Sequence, residues 1–141
     1  MKKAHIFIML IASLTSCSND DVLMTDPIIG EWNLTSVEYY GENSDGMIEL
    51  FSIDYSDENI VYNFNSNSQL IVSGEDHIGF ENGAYTYIFE EDYLSGFPNE
   101  GETKMLLVKV NGFKWTYEFT NGTMQLGNSY VDGPNLYFER K

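Results

Sequence analysis

An all-β domain is what this sequence predicts, and three observations carry the prediction. Phe113, Trp115, Tyr117 and Phe119 alternate without a break against Lys114, Thr116, Glu118 and Thr120. That is the period of a strand with one face buried. Asn111-Gly112 and Asn121-Gly122 flank this run. They form two-residue turns of the kind antiparallel hairpins prefer, because Asn tolerates and Gly readily adopts positive φ. No segment beyond residue 17 has a convincing 3.6-residue apolar repeat.

The elements follow in order. Ile28 to Tyr40 is the first strand, with Ile28, Trp32 and Leu34 on one parity. Gly41 to Glu58 is acidic, with Ile48, Phe51 and Ile53 as packing residues, and reads equally as a loop, a short helix or an added strand. Asn59 to Asn65 sets Ile60, Tyr62 and Phe64 against Val61 and Asn63, and the polar cluster Asn65 to Ser68 turns the chain into Gln69 to Ser73. Gly83 to Glu90 brings Tyr85, Tyr87 and Phe89 together. Glu91 to Glu102, with Gly96, Pro98 and Gly101, is a loop. The strands Lys104 to Val110, Phe113 to Thr120 and Thr123 to Asn128 follow, and Asp132-Gly133-Pro134 introduces Asn135 to Lys141. Burying the four rings of the Phe113 run would contribute on the order of 15–25 kcal/mol as an upper bound. Eight short antiparallel strands favour an up-and-down barrel, since closure removes exposed edges; a two-sheet β-sandwich is the alternative.

The N-terminus carries a separate message. Lys2 and Lys3 precede an apolar run from Ala4 to Leu14, and Leu14-Thr15-Ser16-Cys17 follows. A charged start, an apolar middle and small residues before a cut make a secretory signal over 1–16. The run is 11 residues, roughly 16 Å as a helix, against about 30 Å of hydrocarbon to be spanned. With cysteine after the cut, the pattern resembles a bacterial lipobox. The resemblance implies that Cys17 becomes a diacylated N-terminus, and two acyl chains suffice for stable attachment to a membrane surface. Residues 17–27 read as an acidic tether, from Ser18-Asn19-Asp20-Asp21 to Thr25-Asp26-Pro27. The tether is similar to the export signal of Bacteroidetes surface lipoproteins, which implies an outer-membrane location, facing either outward or into the periplasm.

Charge and residue inventory exclude several functions. All 22 acidic residues follow Cys17, and removal of the signal leaves 5 basic residues, a net charge of −17. Between Cys17 and Thr103 there is no lysine or arginine. Such a field repels nucleic acid and anionic head groups. Cys17 is the single cysteine, so lipidation leaves no thiol for a disulfide, a nucleophile or a metal. His77, beside Glu75 and Asp76, is the one histidine of residues 17–141. It reads as a solvated turn residue, and one imidazole cannot build a multi-histidine zinc or iron site. The carboxylates at Asp54, Asp57 and Glu58, and at Glu90, Glu91 and Asp92, do not match a calcium-loop pattern. There is no Gly-x-Ser-x-Gly turn and no Gly-rich phosphate loop. The expectation is a protein that is not an enzyme, with no cofactor and no metal.

Gly30-Glu31-Trp32 opens the first strand, and Tyr137-Phe138-Glu139-Arg140 closes the last. From Ile28 to Lys141 the chain resembles the lipocalin-like lipoproteins of Bacteroidetes. In lipocalins a Gly-x-Trp tryptophan plugs one end of an eight-stranded barrel, and a late arginine packs over its ring. The resemblance implies those structural roles for Gly30, Trp32 and Arg140. An eight-stranded interior is filled by side chains or holds one small molecule. The inward parity nominates Tyr62, Phe64, Tyr85, Tyr87, Trp115, Tyr117 and Phe119 as lining for a small apolar or aromatic ligand. The alternative is that the same rings fill the barrel, leaving a monomeric surface scaffold that contacts a protein or an envelope glycan.

Overall fold

Alternating apolar residues give each strand one greasy face, and hairpin turns between consecutive strands curl those faces inward until the last strand meets the first. The computed structural model describes residues 26–141. The signal segment, Cys17 and most of the tether therefore lie outside the described residues. The strands are β1 (Gly30–Glu42), β2 (Ile48–Asp54), β3 (Val61–Asn65), β4 (Gln69–Ser73) and β5 (Gly83–Asp92). They continue as β6 (Met105–Val110), β7 (Phe113–Thr120), β8 (Thr123–Gly127) and β9 (Asn135–Arg140). One turn of 3-10 helix, Ser129–Val131, lies between β8 and β9.

From β3 to β9 each strand pairs antiparallel with the next, and β1 bridges β3 and β9. The result is a closed eight-stranded up-and-down barrel; the sandwich alternative is excluded. Closure sets Trp32 opposite Arg140 and Leu34 opposite Phe138, with a register shift between Leu34 and Ser36. The two Asn-Gly turns have positive φ at both residues, 50° and 83° for Asn111 and Gly112, 53° and 89° for Asn121 and Gly122. Those values match the right-handed twist of the strands they join.

The unsettled stretch after Gly41 is an added strand. β2 pairs with the second half of β1, from Ser36 opposite Asp54 to Glu42 opposite Ile48. Past Glu38, where β9 stops, β1 and β2 continue as a two-stranded ribbon outside the barrel wall.

The core is a single apolar cluster. Trp32, Leu34, Tyr62, Phe64, Leu126 and Phe138 are fully buried within it, and no polar or charged residue among the described residues is buried. The four-ring expectation for β7 holds only at its centre. Trp115 and Tyr117 are buried, whereas Phe113 is 66% and Phe119 52% exposed. Both lie next to the Asn-Gly turns, where the strand has already run past the mouth of the barrel. Alternation tells which face a ring is on, and the strand's length beyond the core decides whether it is covered.

Candidate functional site

Gly30 enters β1 at φ +133°, a conformation that L side chains rarely adopt, and a Cβ there would stand 2.6 Å from Arg140 Nη1. The bare backbone leaves room for the guanidinium. Arg140 Cζ lies 4.3 Å from the centroid of the Trp32 ring, and its two terminal nitrogens donate to the carbonyls of Ile29 at 3.1 Å and Pro27 at 3.0 Å. The buried indole N–H of Trp32 donates to Ile28 O at 2.7 Å. Phe119 sits at this same end, edge-on to Trp32 with centroids 6.0 Å apart. It belongs to the rim and not to the interior lining. One end of the barrel is thus sealed by a ring, a cation over its face and a second ring at its edge.

Buried rings pack against one another in the interior. Phe64 meets Tyr87 edge to face at 5.1 Å, Tyr62 meets Phe138 at 4.8 Å, and Tyr117 meets Phe89 at 4.9 Å. Tyr87 directs its hydroxyl out of the apolar space, to Asn65 O at 2.9 Å. Two polar atoms in this interior have no partner: the indole N–H of Trp115 and the hydroxyl of Tyr117. Tyr62, Phe64, Tyr87, Trp115 and Tyr117 therefore do come together in the buried cluster.

Residues 74–82 close the opposite end, and here His77 departs from the expected solvated turn residue. It is half-buried, with Nδ1 2.8 Å from Glu75 O and Nε2 2.9 Å from the Tyr62 hydroxyl. A carbonyl only accepts, so in the neutral ring Nδ1 carries the hydrogen and Nε2 accepts from the Tyr62 O–H. The same Tyr62 oxygen accepts the Phe80 N–H at 3.1 Å, and the Ile78 N–H donates to the Tyr55 hydroxyl at 3.2 Å. Burial pushes the Tyr62 phenol well above its ordinary value. Phe80 spreads over the opening, 5.2 Å from Trp115 and 5.5 Å from Tyr85, whose hydroxyl donates to Glu81 O at 2.7 Å. Tyr85 is accordingly part of the lid. Tyr55, Ile78 and Phe80 were missed by sequence reading, since no local pattern marks a residue that packs across a barrel's mouth.

Two concave regions lie outside the barrel. One of about 500 Å³ is lined by Glu75, Asp76, His77, Glu81 and Asn82. Another of about 200 Å³ runs over the outer face of β7 to β9, at Glu118, Thr120, Thr123, Gln125 and Tyr137. Three of the carboxylates weighed for calcium, Asp54, Glu90 and Asp92, have other partners. Lys109 Nζ lies 2.6 Å from both Glu90 and Asp92, and hydrogen bonding from that ammonium holds the Asp92 carboxyl below the usual range. Asp54 accepts the Ser56 N–H at 2.9 Å.

A closed eight-stranded antiparallel barrel with up-and-down order, plugged by a tryptophan from its first strand, is consistent with a lipocalin-like fold. Comparison with protein families, curated sequences and solved structures finds no match for this chain.

Proposed function

We propose that the chain is a lipid-anchored protein of the cell envelope whose lipocalin-like barrel is a filled, non-enzymatic scaffold, meeting another protein through its outer surface. The observation that carries this reading is the packed interior. Trp32, Tyr62, Phe64, Tyr87, Trp115 and Tyr117 are buried in one apolar cluster, which supports a barrel filled by its own side chains. Anchoring through acyl chains on Cys17 is supported by the lipobox-like Leu14-Thr15-Ser16-Cys17, and the outer-membrane reading by the acidic stretch that follows it. Native mass spectrometry of protein purified from its own cells is the test, with a bare polypeptide mass expected once the lipid is accounted for. A stoichiometric small molecule held by the barrel would overturn the scaffold reading. For the anchor, Cys17→Ser is expected to abolish radioactive palmitate incorporation and release the protein from membranes. Labelling that persists in the variant would reject Cys17 as the attachment site.

A second reading has one specific observation in its favour. The Trp115 indole N–H and the Tyr117 hydroxyl are buried without a hydrogen-bond partner, and each such group costs roughly 1–3 kcal/mol. A small, largely apolar ligand carrying an acceptor would satisfy them after modest repacking. The same mass measurement separates the two readings.

A further inference from the structure

The ribbon formed by β1 and β2 ends in an edge that nothing covers among the described residues. Among the described residues β2 pairs with β1 alone, at the end of the strand order. Which backbone groups face outward follows from the ladder. In an antiparallel pair, residues opposite one another alternate between exchanging both hydrogen bonds and exchanging none. The Asn43 N–H bonds Met47 O at 2.8 Å, and the Tyr55 N–H bonds Thr35 O at 2.8 Å. Both contacts put the odd-numbered residues of β2 in the bonded positions. Glu49, Phe51 and Ile53 therefore spend their amides on β1, whereas Ile48, Leu50 and Ser52 point theirs away from it.

Natural edges of this kind are protected by charged side chains such as Glu49 and Asp54 of β2, and more strongly by lysine, proline, a bulge or a short length. β2 has none of the stronger devices over seven residues, Ile-Glu-Leu-Phe-Ser-Ile-Asp, an edge of roughly 24 Å. Both of its faces carry apolar side chains and carboxylates, with Glu42 and Asp54 on the face of Ile48 and Leu50. Ile48 and Leu50 are 69% and 51% exposed and lie beside the exposed Tyr40, which is opposite Leu50. The other face carries Glu49 and Phe51, the latter stacked on Tyr39 at 5.6 Å. Residues 36–54 hold five carboxylates and no lysine or arginine.

We propose that the outer edge of β2 is a docking site for an extended segment of a partner protein that alternates apolar and cationic residues, pairing as an additional strand. This rests on the scaffold reading and names the surface and the partner chemistry. Backbone pairing with the outward groups of Ile48, Leu50 and Ser52 supplies affinity, and the alternate side chains supply selection. Apolar residues of the incoming strand lie beside Ile48 and Leu50. Its cations fall on the opposite face, beside the Glu49 carboxylate and the Phe51 ring. A second copy of this chain is the wrong occupant, because self-pairing would bring together two ribbons of one charge sign.

The test is fluorescence anisotropy of a dye-labelled octapeptide alternating lysine and valine, titrated with the full chain. A glutamate–valine octapeptide is the control. Saturable binding of the lysine peptide and none of the control is expected. Ser52→Pro removes an outward N–H while leaving every bond to β1, and is expected to weaken binding at least about tenfold. The double variant Ile48→Thr, Leu50→Thr keeps residues suited to a strand and is expected to weaken it several-fold; it decides the matter if the proline variant does not fold. No binding, or equal binding by the wild type and both variants, overturns the proposal. So does a dimer in sedimentation that Ser52→Pro dissociates, which would make a second copy the occupant. Failure of the peptide alongside a bare polypeptide mass retires this edge and keeps the scaffold; a co-purifying small molecule retires the scaffold whatever the peptide does.

Discussion

The two ends of the barrel are closed by different chemistry. At the β1 entry the seal is a buried ring, with the Arg140 guanidinium 4.3 Å above the Trp32 centroid. At the other end residues 74–82 are held by polar bonds as well as by the Phe80 ring, with the Tyr62 hydroxyl joining His77 Nε2 and the Phe80 N–H. The first seal gains from apolar area and dispersion, which depend little on pH. The second depends on protonation states and on every bond being made, because a buried polar group left alone costs more than a made bond returns. The comparison predicts that local opening reaches the hydrogen-bonded lid before the ring plug.

The widest break in that comparison is expected from Trp32→Ala. Deleting a fully buried tryptophan ring is expected to cost about 3–5 kcal/mol, through lost transfer energy and the cavity left behind. Urea denaturation measures it. Phe80→Ala, which removes a half-buried lid ring, is expected to cost clearly less. Equal losses would show that the two ends are equivalent closures.

Tyr62→Phe is the corresponding cut at the polar end. It keeps the ring against Phe138 and removes the hydroxyl, leaving the Phe80 N–H and His77 Nε2 unpaired. A loss of about 1–3 kcal/mol is expected. Amide hydrogen exchange should quicken within residues 74–82 and stay unchanged around Ile28 to Trp32. Quickening at both ends would mean that the seals are coupled.

The two ends also differ in how far the sequence announced them. The plug rests on residues adjacent in the chain, Gly30 and Trp32, with Arg140 delivered by strand register at closure. The lid rests on pairs such as Tyr62 with His77, which no local pattern connects; their meeting depends on how the β4–β5 connection folds over the mouth. The eight barrel strands were legible because alternation and Asn-Gly turns are local signals. β2 was not, since Leu50 and Phe51 are neighbours and both faces of Ile48–Asp54 carry apolar residues, which breaks the parity a half-buried strand shows. The rim position of Phe119 was equally hidden, for it depends on where the barrel ends along β7.

A finer test bears on the cation over the plug. Arg140→Met keeps an apolar stem over the indole and removes the charge together with the bonds to Ile29 O and Pro27 O. The expected loss is about 1 kcal/mol, the scale of an exposed cation–π contact, seen as a small fall in the urea midpoint at every pH near neutrality. Gly30→Ala forces the guanidinium aside by its Cβ and adds strain at φ +133°, so it should cost more than Arg140→Met. The reverse order would mean that the cation contributes more than the backbone conformation that admits it.

The smallest effect concerns alkaline pH and separates the lid from the seam between β9 and β1. Tyr137 donates to Glu38 Oε2 at 2.7 Å across that seam. Burial, the hydrogen bond and the neighbouring Glu38 charge push its phenol from 10.0 up to about 12. Tyr62 is raised chiefly by burial. A phenol whose folded value exceeds its unfolded one contributes stability that is complete below the unfolded value and is lost as pH rises through the folded one. For Tyr137 that window runs from pH 10.0 to about 12; for Tyr62 it opens at the same pH and extends further. Urea midpoints should therefore decline across this range in the wild type. Tyr62→Phe should flatten the decline more than Tyr137→Phe does, because the lid hydroxyl lies deeper than the seam hydroxyl. Equal slopes for the two variants would place the alkaline sensitivity in the barrel wall and remove pH response as a property that distinguishes the lid from the plug.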